Sequence, residues 1–357
     1  MTLVKNAPTR ACAQVRRGVL RAGRWSLRFD VRALLVCVLL AGVTAGAMVL
    51  AIGTGTYELS PAEVLNTLAG VGPPGAGFVV LDLRLPRALV AALVGFGLGM
   101  AGAVFQSLTR NPLGSPDIIG FGNGASAGAL VAIIVLDAGA AQTAVGAVCG
   151  GVATAAAVYL LAWKRGVHGY RLVLVGIGAS SVLGAATSFL YLRADIGKAA
   201  QAAAWTIGSL NARDWNDVRV AALGPAVLAP VVLAYGRRLT LLEMGDDTAA
   251  ALGVPPERSR LVLLGAGTGL TAMAVAAAGP VPFVAMAAPQ LARRVTRAAA
   301  PNVLSAGWTG AFLVTTADLV TQRLTGSALL PVGVVTGVAG GVYLAWLLRA
   351  ERRGSRL

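Results

Sequence analysis

The chain has 357 residues, of which 56% are hydrophobic and only 13% charged, and its mean hydropathy is +0.74. Soluble domains carry about 25% charged residues, so the charge here is too sparse to cover a water-facing surface and lipid must be the solvent for much of the chain. The formal charge of +15 would suggest nucleic acid in a soluble protein. Here the arginines cluster between apolar stretches, as basic cytoplasmic loops of membrane proteins do, and no nucleic-acid partner is expected.

Residues 1–32 form a basic, polar tail, too long for the leading region of a signal peptide. The apolar run 33–52 after it reaches the ~20 residues a span requires, and reads as a first span with the amino terminus inside. Ser60, Pro61 and Glu63 carry the signature of a capping box with proline at the first helical position, which predicts a short amphipathic helix on the outer side. Nine further apolar runs follow, at 85–108, 116–136, 142–163, 172–192, 218–235, 261–278, 283–293, 304–324 and 332–348. Gly120, Gly124 and Gly128 recur every four residues and predict a seam where two helix backbones approach closely. Basic residues precede span one and close spans four, six, eight and ten, with Arg110 on the same side. This charge bias predicts an all-α polytopic membrane protein of about ten transmembrane helices over residues 33–349. Both termini lie in the cytoplasm and 350–357 form a second basic tail.

Three polar features stand out. Residues 239–254, LTLLEMGDDTAAALGV, read as two short helical pieces broken at Gly245. Asp246 or Asp247 suits the cap of the second piece, and Gly253 its end. Its alanines and Leu252 are less polar than a free loop needs, which makes it either a partner surface or a solvated loop. Next, Gly279-Pro280-Val281-Pro282-Phe283 turns the chain, and Pro289 inside span eight predicts a kink, static or lining a pathway. Finally, Gln106, Asn123 and Asp318 are polar groups within spans. A carboxylate at membrane depth faces protein or a wet cavity, so Asp318 is either a structural ion pair or a pathway element.

No catalytic constellation is present. Lys5, Lys164 and Lys198 complete no phosphate-binding loop, and neither a nucleophile elbow nor a zinc-protease helix occurs. Cys12, Cys37 and Cys149 are far apart and His168, the only histidine, sits in a basic loop, so neither a metal site nor a cofactor is expected. Any nucleotide that drives this chain must be hydrolysed by another subunit.

The motifs now in hand resemble, over 58–349, the permease family of ABC importers for ferric siderophores, haem and vitamin B12. They are Arg84-Leu85-Pro86-Arg87, Gly102 with Gln106, Asn111-Pro112-Leu113 with Pro116 and Gly120, and Trp205 with Gly208-Ser209-Leu210. Gly245 with Ala250 and Leu252-Gly253, Gly279-Pro280 with Phe283-Val284, Pro289 with Arg293, Ala317-Asp318 and Pro331-Val332-Gly333-Val334-Val335-Thr336 complete the series.

The resemblance implies the ABC importer type II permease fold in the cytoplasmic membrane. It also implies a permease dimer, of like or related chains, around one pathway, with a cytoplasmic ABC ATPase dimer and an extracytoplasmic substrate-binding protein. The segment Glu243, Met244, Gly245, Asp246, Asp247, Ala250, Leu252 and Gly253 matches the coupling helices that seat on the ATPase. Arg84, Arg87 and Arg323 match arginines that dock acidic residues of the binding protein. Gln106, Asn111, Pro112, Asn123, Pro289, Gln290 and Asp318 are the pathway or gate candidates.

Three positions depart from the family pattern: Gln290 where histidine is frequent, Ala328-Leu329-Leu330 where an acid commonly precedes the proline, and Pro282 where a small residue is usual. The expected function is translocation of a ferric siderophore by alternating access, with vitamin B12 or haem as the alternative cargo. An ion-coupled secondary transporter would need ionisable groups along its path, and only Asp318 qualifies. A membrane enzyme would need a catalytic cluster.

Overall fold

The computed structural model describes residues 17–22, 25–163, 169–298, 301–325 and 330–354. His168, Lys164, Lys5, Cys12, Ala328 and Leu329 lie outside the described residues. Within the basic tail, strands β1 (Arg17–Ala22) and β2 (Trp25–Asp30) pair antiparallel from Arg17↔Asp30 to Ala22↔Trp25. The all-α reading had no strand here. Only two residues separate the strands, the spacing of a tight hairpin, and the pair precedes the helical domain. Helix α1 (Val31–Gly53) starts directly after it, capped by the Asp30 carboxylate on Arg32 N at 2.9 Å.

The domain that follows is helical throughout: α2 (Pro61–Leu68), α3 (Leu85–Thr109), α4 (Phe121–Leu130), α5 (Ala140–Ala162), α6 (Gly169–Arg193), α7 (Ile196–Ile207) and α8 (Trp215–Ala234). Then come α9 (Gly236–Glu243), α10 (Asp246–Ala251), α11 (Pro256–Ala278), α12 (Val284–Thr296), α13 (Val303–Thr325) and α14 (Val332–Gly354). Among the described residues, seven helices are long and apolar enough to cross a membrane: α1, α3 with the π-helical turn Phe78–Arg84 before it, α5, α6, α8, α11 and α13. The shorter apolar helices 121–135 and 332–346, together with α12, match the remaining three predicted runs. A 3-10 turn, Pro116–Ile119, interrupts span three before Gly120 turns the chain with φ +76°. Helix α2 carries the predicted capping box: Ser60 N donates to Glu63 Oε2 at 2.8 Å and Glu63 N to Ser60 Oγ at 3.3 Å.

Helix α3 is the axle of the bundle. In its most apolar stretch 78% of residues are buried, against 11% for α6. Glycines make this possible. Gly95 and Gly99 of α3 lie against the Gly310 and Ala306 carbonyls of α13, so close that a β-carbon at either would collide with backbone. Phe96 and Trp308 cross edge to face beside them, centroids 5.4 Å apart. Of the predicted seam, Gly124 and Gly128 of α4 meet Gly150 and Gly146 of α5, while Gly120 is outside the helix, at the turn before it.

At one end of the bundle the three family turns interlock. Gly208 sits against the Pro280 carbonyl, Ser209 N donates to Ala278 O at 2.8 Å, and Gly333 N donates to Gly208 O at 3.2 Å. These contacts join the ends of α7, α11 and α14.

Candidate functional site

The two ends of the bundle carry its charged chemistry. At the end where α1 and α13 finish and α3 begins, Arg87 forms a bidentate ion pair with Asp318: Nε reaches both carboxylate oxygens at 3.1 Å and Nη2 reaches Oδ1 at 2.7 Å. Gln322 Nε2 donates to Asp318 Oδ2 at 2.8 Å. The Asp318 side chain is 1% exposed and that of Arg87 20%. A buried carboxylate is tolerated only when paired and hydrogen-bonded, and this one is.

Arg84 donates from Nη1 to Ile52 O at 2.7 Å and lies beside Gly55. Arg323 is exposed. With Gln322, Glu58 and the α1–α2 connection it lines a cavity of about 700 Å³.

The opposite end is built around the helical pair α9 and α10. Leu239, Leu242 and Ala249 are fully buried and turn one face of the pair into the bundle. Asp246 does not cap α10; the cap position is Gly245, at φ +123°. A glycine with positive φ already reverses the chain there, which frees the Asp246 carboxylate. It takes Arg110 Nη2 at 2.8 Å and both oxygens take Arg260 Nη2 at 2.9 Å. Arg260 also pairs with Glu257 at 2.8 Å, and Glu243 pairs with Arg293 of α12. Gly253, at φ +79°, follows the end of α10 as predicted. The opposite face of the pair presents Met244, Asp247, Ala250, Leu252 and Gly253. Met244 and Leu252 are 65% and 61% exposed.

Between these ends α12 brings several predicted residues together. Pro289 lies within the helix and lacks the N–H that would bond the carbonyl four residues earlier. That carbonyl, of Ala285, lies against Gly102 of α3. Gln106 Nε2 donates to Met286 O at 2.8 Å. Asn111 Oδ1 accepts from Leu113 N at 2.9 Å, which shapes the turn that presents the Pro112 carbonyl to Gln290 Nε2. Gln290 Oε1 accepts from the Tyr343 hydroxyl at 3.2 Å. Asn123 stays apart on the exposed face of α4.

Sequence reading missed Arg110, Arg260, Arg293 and Tyr343 as partners in these networks. Arg110, Arg293 and Tyr343 meet partners 136, 50 and 53 positions away, and Arg260 pairs with Glu257 three residues back and with Asp246.

Seven helices long and apolar enough to span, two shorter apolar ones among the described residues, and glycine seams that bring helix backbones together define a multi-pass membrane protein. The profile of the FecCD transport family matches residues 40–350. The ferric enterobactin transport system permease protein FepG of Escherichia coli is 43% identical over 324 residues, covering 90% of this chain and 98% of FepG. The achromobactin permease CbrC of Dickeya dadantii is 35% identical, covering 94% and 97%. A solved structure described as an inward-facing conformation of a metal-chelate type ABC transporter superposes with a TM-score of 0.77 at 26% identity, covering 89% of this chain and 99% of that one.

The chain belongs to the FecCD transport family. It is a transport permease subunit of an ABC importer, and ATP hydrolysis resides in a separate subunit. Membership implies ATPase, substrate-binding and second permease partners.

Proposed function

We propose that this chain carries a ferric siderophore across the cytoplasmic membrane by alternating access, with an ATPase dimer seated on residues 239–254. The observation that carries the proposal is the two-faced α9–α10 pair. One face is anchored in the bundle by Leu239, Leu242 and Ala249 and by ion pairs of Asp246 and Glu243. The other offers Met244 and Leu252 to whatever lies below. An apolar surface presented on a charged rim marks a protein contact, and the arginine pairs make the seat move with α3, α11 and α12 rather than as a loop.

In this reading both termini and α9–α10 are cytoplasmic, and the rim with Arg84, Arg87 and Arg323 receives the binding protein. Arg323, exposed beside the 700 Å³ cavity, is the best placed of the three for an acidic side chain. Arg84 and Arg87 already have internal partners. Gln106, Asn111, Pro112, Pro289 and Gln290 gather on the α3–α12 contact and support a gate there. Asp318 serves as an anchor.

The permease dimer, of two like or two related chains, encloses the pathway. The metal crosses within its chelator as cargo.

Leu252→Asp tests the seat. In vesicles holding the complete transporter and its binding protein, it should leave ATP hydrolysis in place and abolish uptake of ferric enterobactin, the probe suggested by the likeness to FepG. Coupled uptake at the unaltered rate would reject the seat. Cobalamin and haem, presented in parallel, decide the cargo class.

A further inference from the structure

Helix α14 is held by polar contacts at two separate levels. Its first turn is tied to the α7 end through Gly333 and Gly208. An apolar cavity of about 190 Å³ lies where it meets α12 and α13, lined by Phe283, Leu291, Leu313, Thr336, Gly340 and Tyr343 among others, and Gly340 packs so close to Phe283 that a β-carbon there would collide with it. Farther along, α12 reaches it twice through polar side chains. The Tyr343 hydroxyl donates to Gln290 Oε1 at 3.2 Å, and the Arg294 guanidinium lies over the Trp346 ring, 4.6 Å from its centroid.

The same short helix holds the seat. Arg293, the residue before Arg294, pairs with Glu243 of α9 and reaches Ser107 Oγ of α3 at 3.4 Å. Gln290 is 8% exposed, and its amide spends both polar ends on two different elements: the Pro112 carbonyl after α3 and the Tyr343 hydroxyl on α14. A buried amide satisfied from two sides fixes the elements it joins relative to one another.

We propose that α12 is the link that carries displacement of the α9–α10 seat to α14, and that Gln290 is the positioning residue that sets α14 relative to the α3–α4 turn. Displacement enters through Glu243 and Arg293, and leaves three residues away through Gln290 and one away through Arg294. The inference rests on the seat assigned above, so its test separates the two.

Spin labels are placed at Leu160 and Val342, both exposed, in a background without native cysteines and within the complete transporter. Addition of a non-hydrolysable ATP analogue should change the distance between them. In Gln290→Leu the change should disappear and uptake per ATP hydrolysed should fall about tenfold, the size expected when coupling between two sites is broken. Hydrolysis itself should stay near the parent rate.

Tyr343→Phe keeps the ring and removes only the hydroxyl, and should reproduce the effect in a milder form if Gln290→Leu assembles poorly. Gln290→His offers one donor and one acceptor and should restore most of the coupling. A distance change that persists in both Gln290→Leu and Tyr343→Phe, or no change in the parent while uptake is coupled, overturns the link. The seat falls separately, if Leu252→Asp stays coupled.

Discussion

The two charged ends of this bundle use the same residue types for opposite ends. At the outer rim of the proposed orientation, one carboxylate, Asp318, is 1% exposed and holds one guanidinium in a bidentate grip. At the inner rim, Asp246 is 35% exposed and accepts from two guanidiniums, Arg260 on both oxygens and Arg110 on Oδ1. Desolvation decides the difference. A buried pair that loses one member leaves an uncompensated charge, which costs about 3–5 kcal/mol, whereas exposed pairs contribute about 0–1 kcal/mol. The outer pair locks α3 to α13, whereas the inner carboxylate is more open to water and ties the α9–α10 pair to Arg110, which is exposed, and to Arg260, which is buried.

The sharpest break is at the outer pair. Asp318→Ala should destabilise the detergent-solubilised protein by about 3 kcal/mol, the low end of that range because Arg87 keeps some access to water. The double variant Arg87→Met with Asp318→Leu should recover most of the loss, since apolar replacement of a buried pair is often close to neutral. Equal melting temperatures for the single and double variants would show that Asp318 is not paired in solution.

The glycine seam that the lock closes comes next. A leucine at Gly99 would drive a side chain into the Ala306 carbonyl, and the helices must part. Overpacking of this sort costs about 1–3 kcal/mol, and cysteine cross-linking across α3 and α13 should lose yield in proportion. The inner rim should give less. Asp246→Ala removes the ion pairs to Arg110 and Arg260, but the carboxylate is already 35% exposed and Glu257 remains as a partner of Arg260. The loss in melting temperature should therefore be smaller than for Asp318→Ala and should shrink at high salt, because the site is partly exposed.

Much of this architecture was legible in the sequence, for physical reasons. A span announces itself by length and hydropathy, so all ten apolar runs recur as helices with ends within a few residues. Among the described residues, seven of them are long and apolar enough to cross a membrane. The Gly124–Gly128 seam was visible because its spacing is regular. The tighter α3–α13 seam was not, because Gly95, Gly99 and Gly310 are spread over two distant runs and only packing pairs them. Asp318 was expected as either an anchor or a pathway group, and no local signal could decide, since Arg87 lies 231 positions away. The Asp246 prediction erred for a local reason. Cap propensity favours aspartate, but Gly245 with its positive φ supplies the turn, and the carboxylate is left to tertiary partners.

The mildest effect should come from a charge that does no long-range work. Asp214 caps α8 at the rim opposite the seat, accepting from Asn216 N at 2.8 Å and Asp217 N at 3.1 Å. The Asp217 amide bond, above all, holds its carboxyl below the ordinary carboxylate value, with the Asn216 bonds adding to it and partial burial opposing. A depressed folded value means that the cap stabilises fully above the ordinary pKa of about 3.9 and loses that contribution as pH falls through the folded value. Asp214→Ala should cost about 1 kcal/mol at neutral pH, as helix caps do, and the gap to the parent should close in acid. Asp214→Asn keeps a cap acceptor that does not titrate, so its melting temperature should track the parent at neutral pH and exceed it at acid pH. A gap between Asp214→Ala and the parent that stays constant from neutral to strongly acid pH would mean that the carboxylate, as a charge, contributes nothing to this rim.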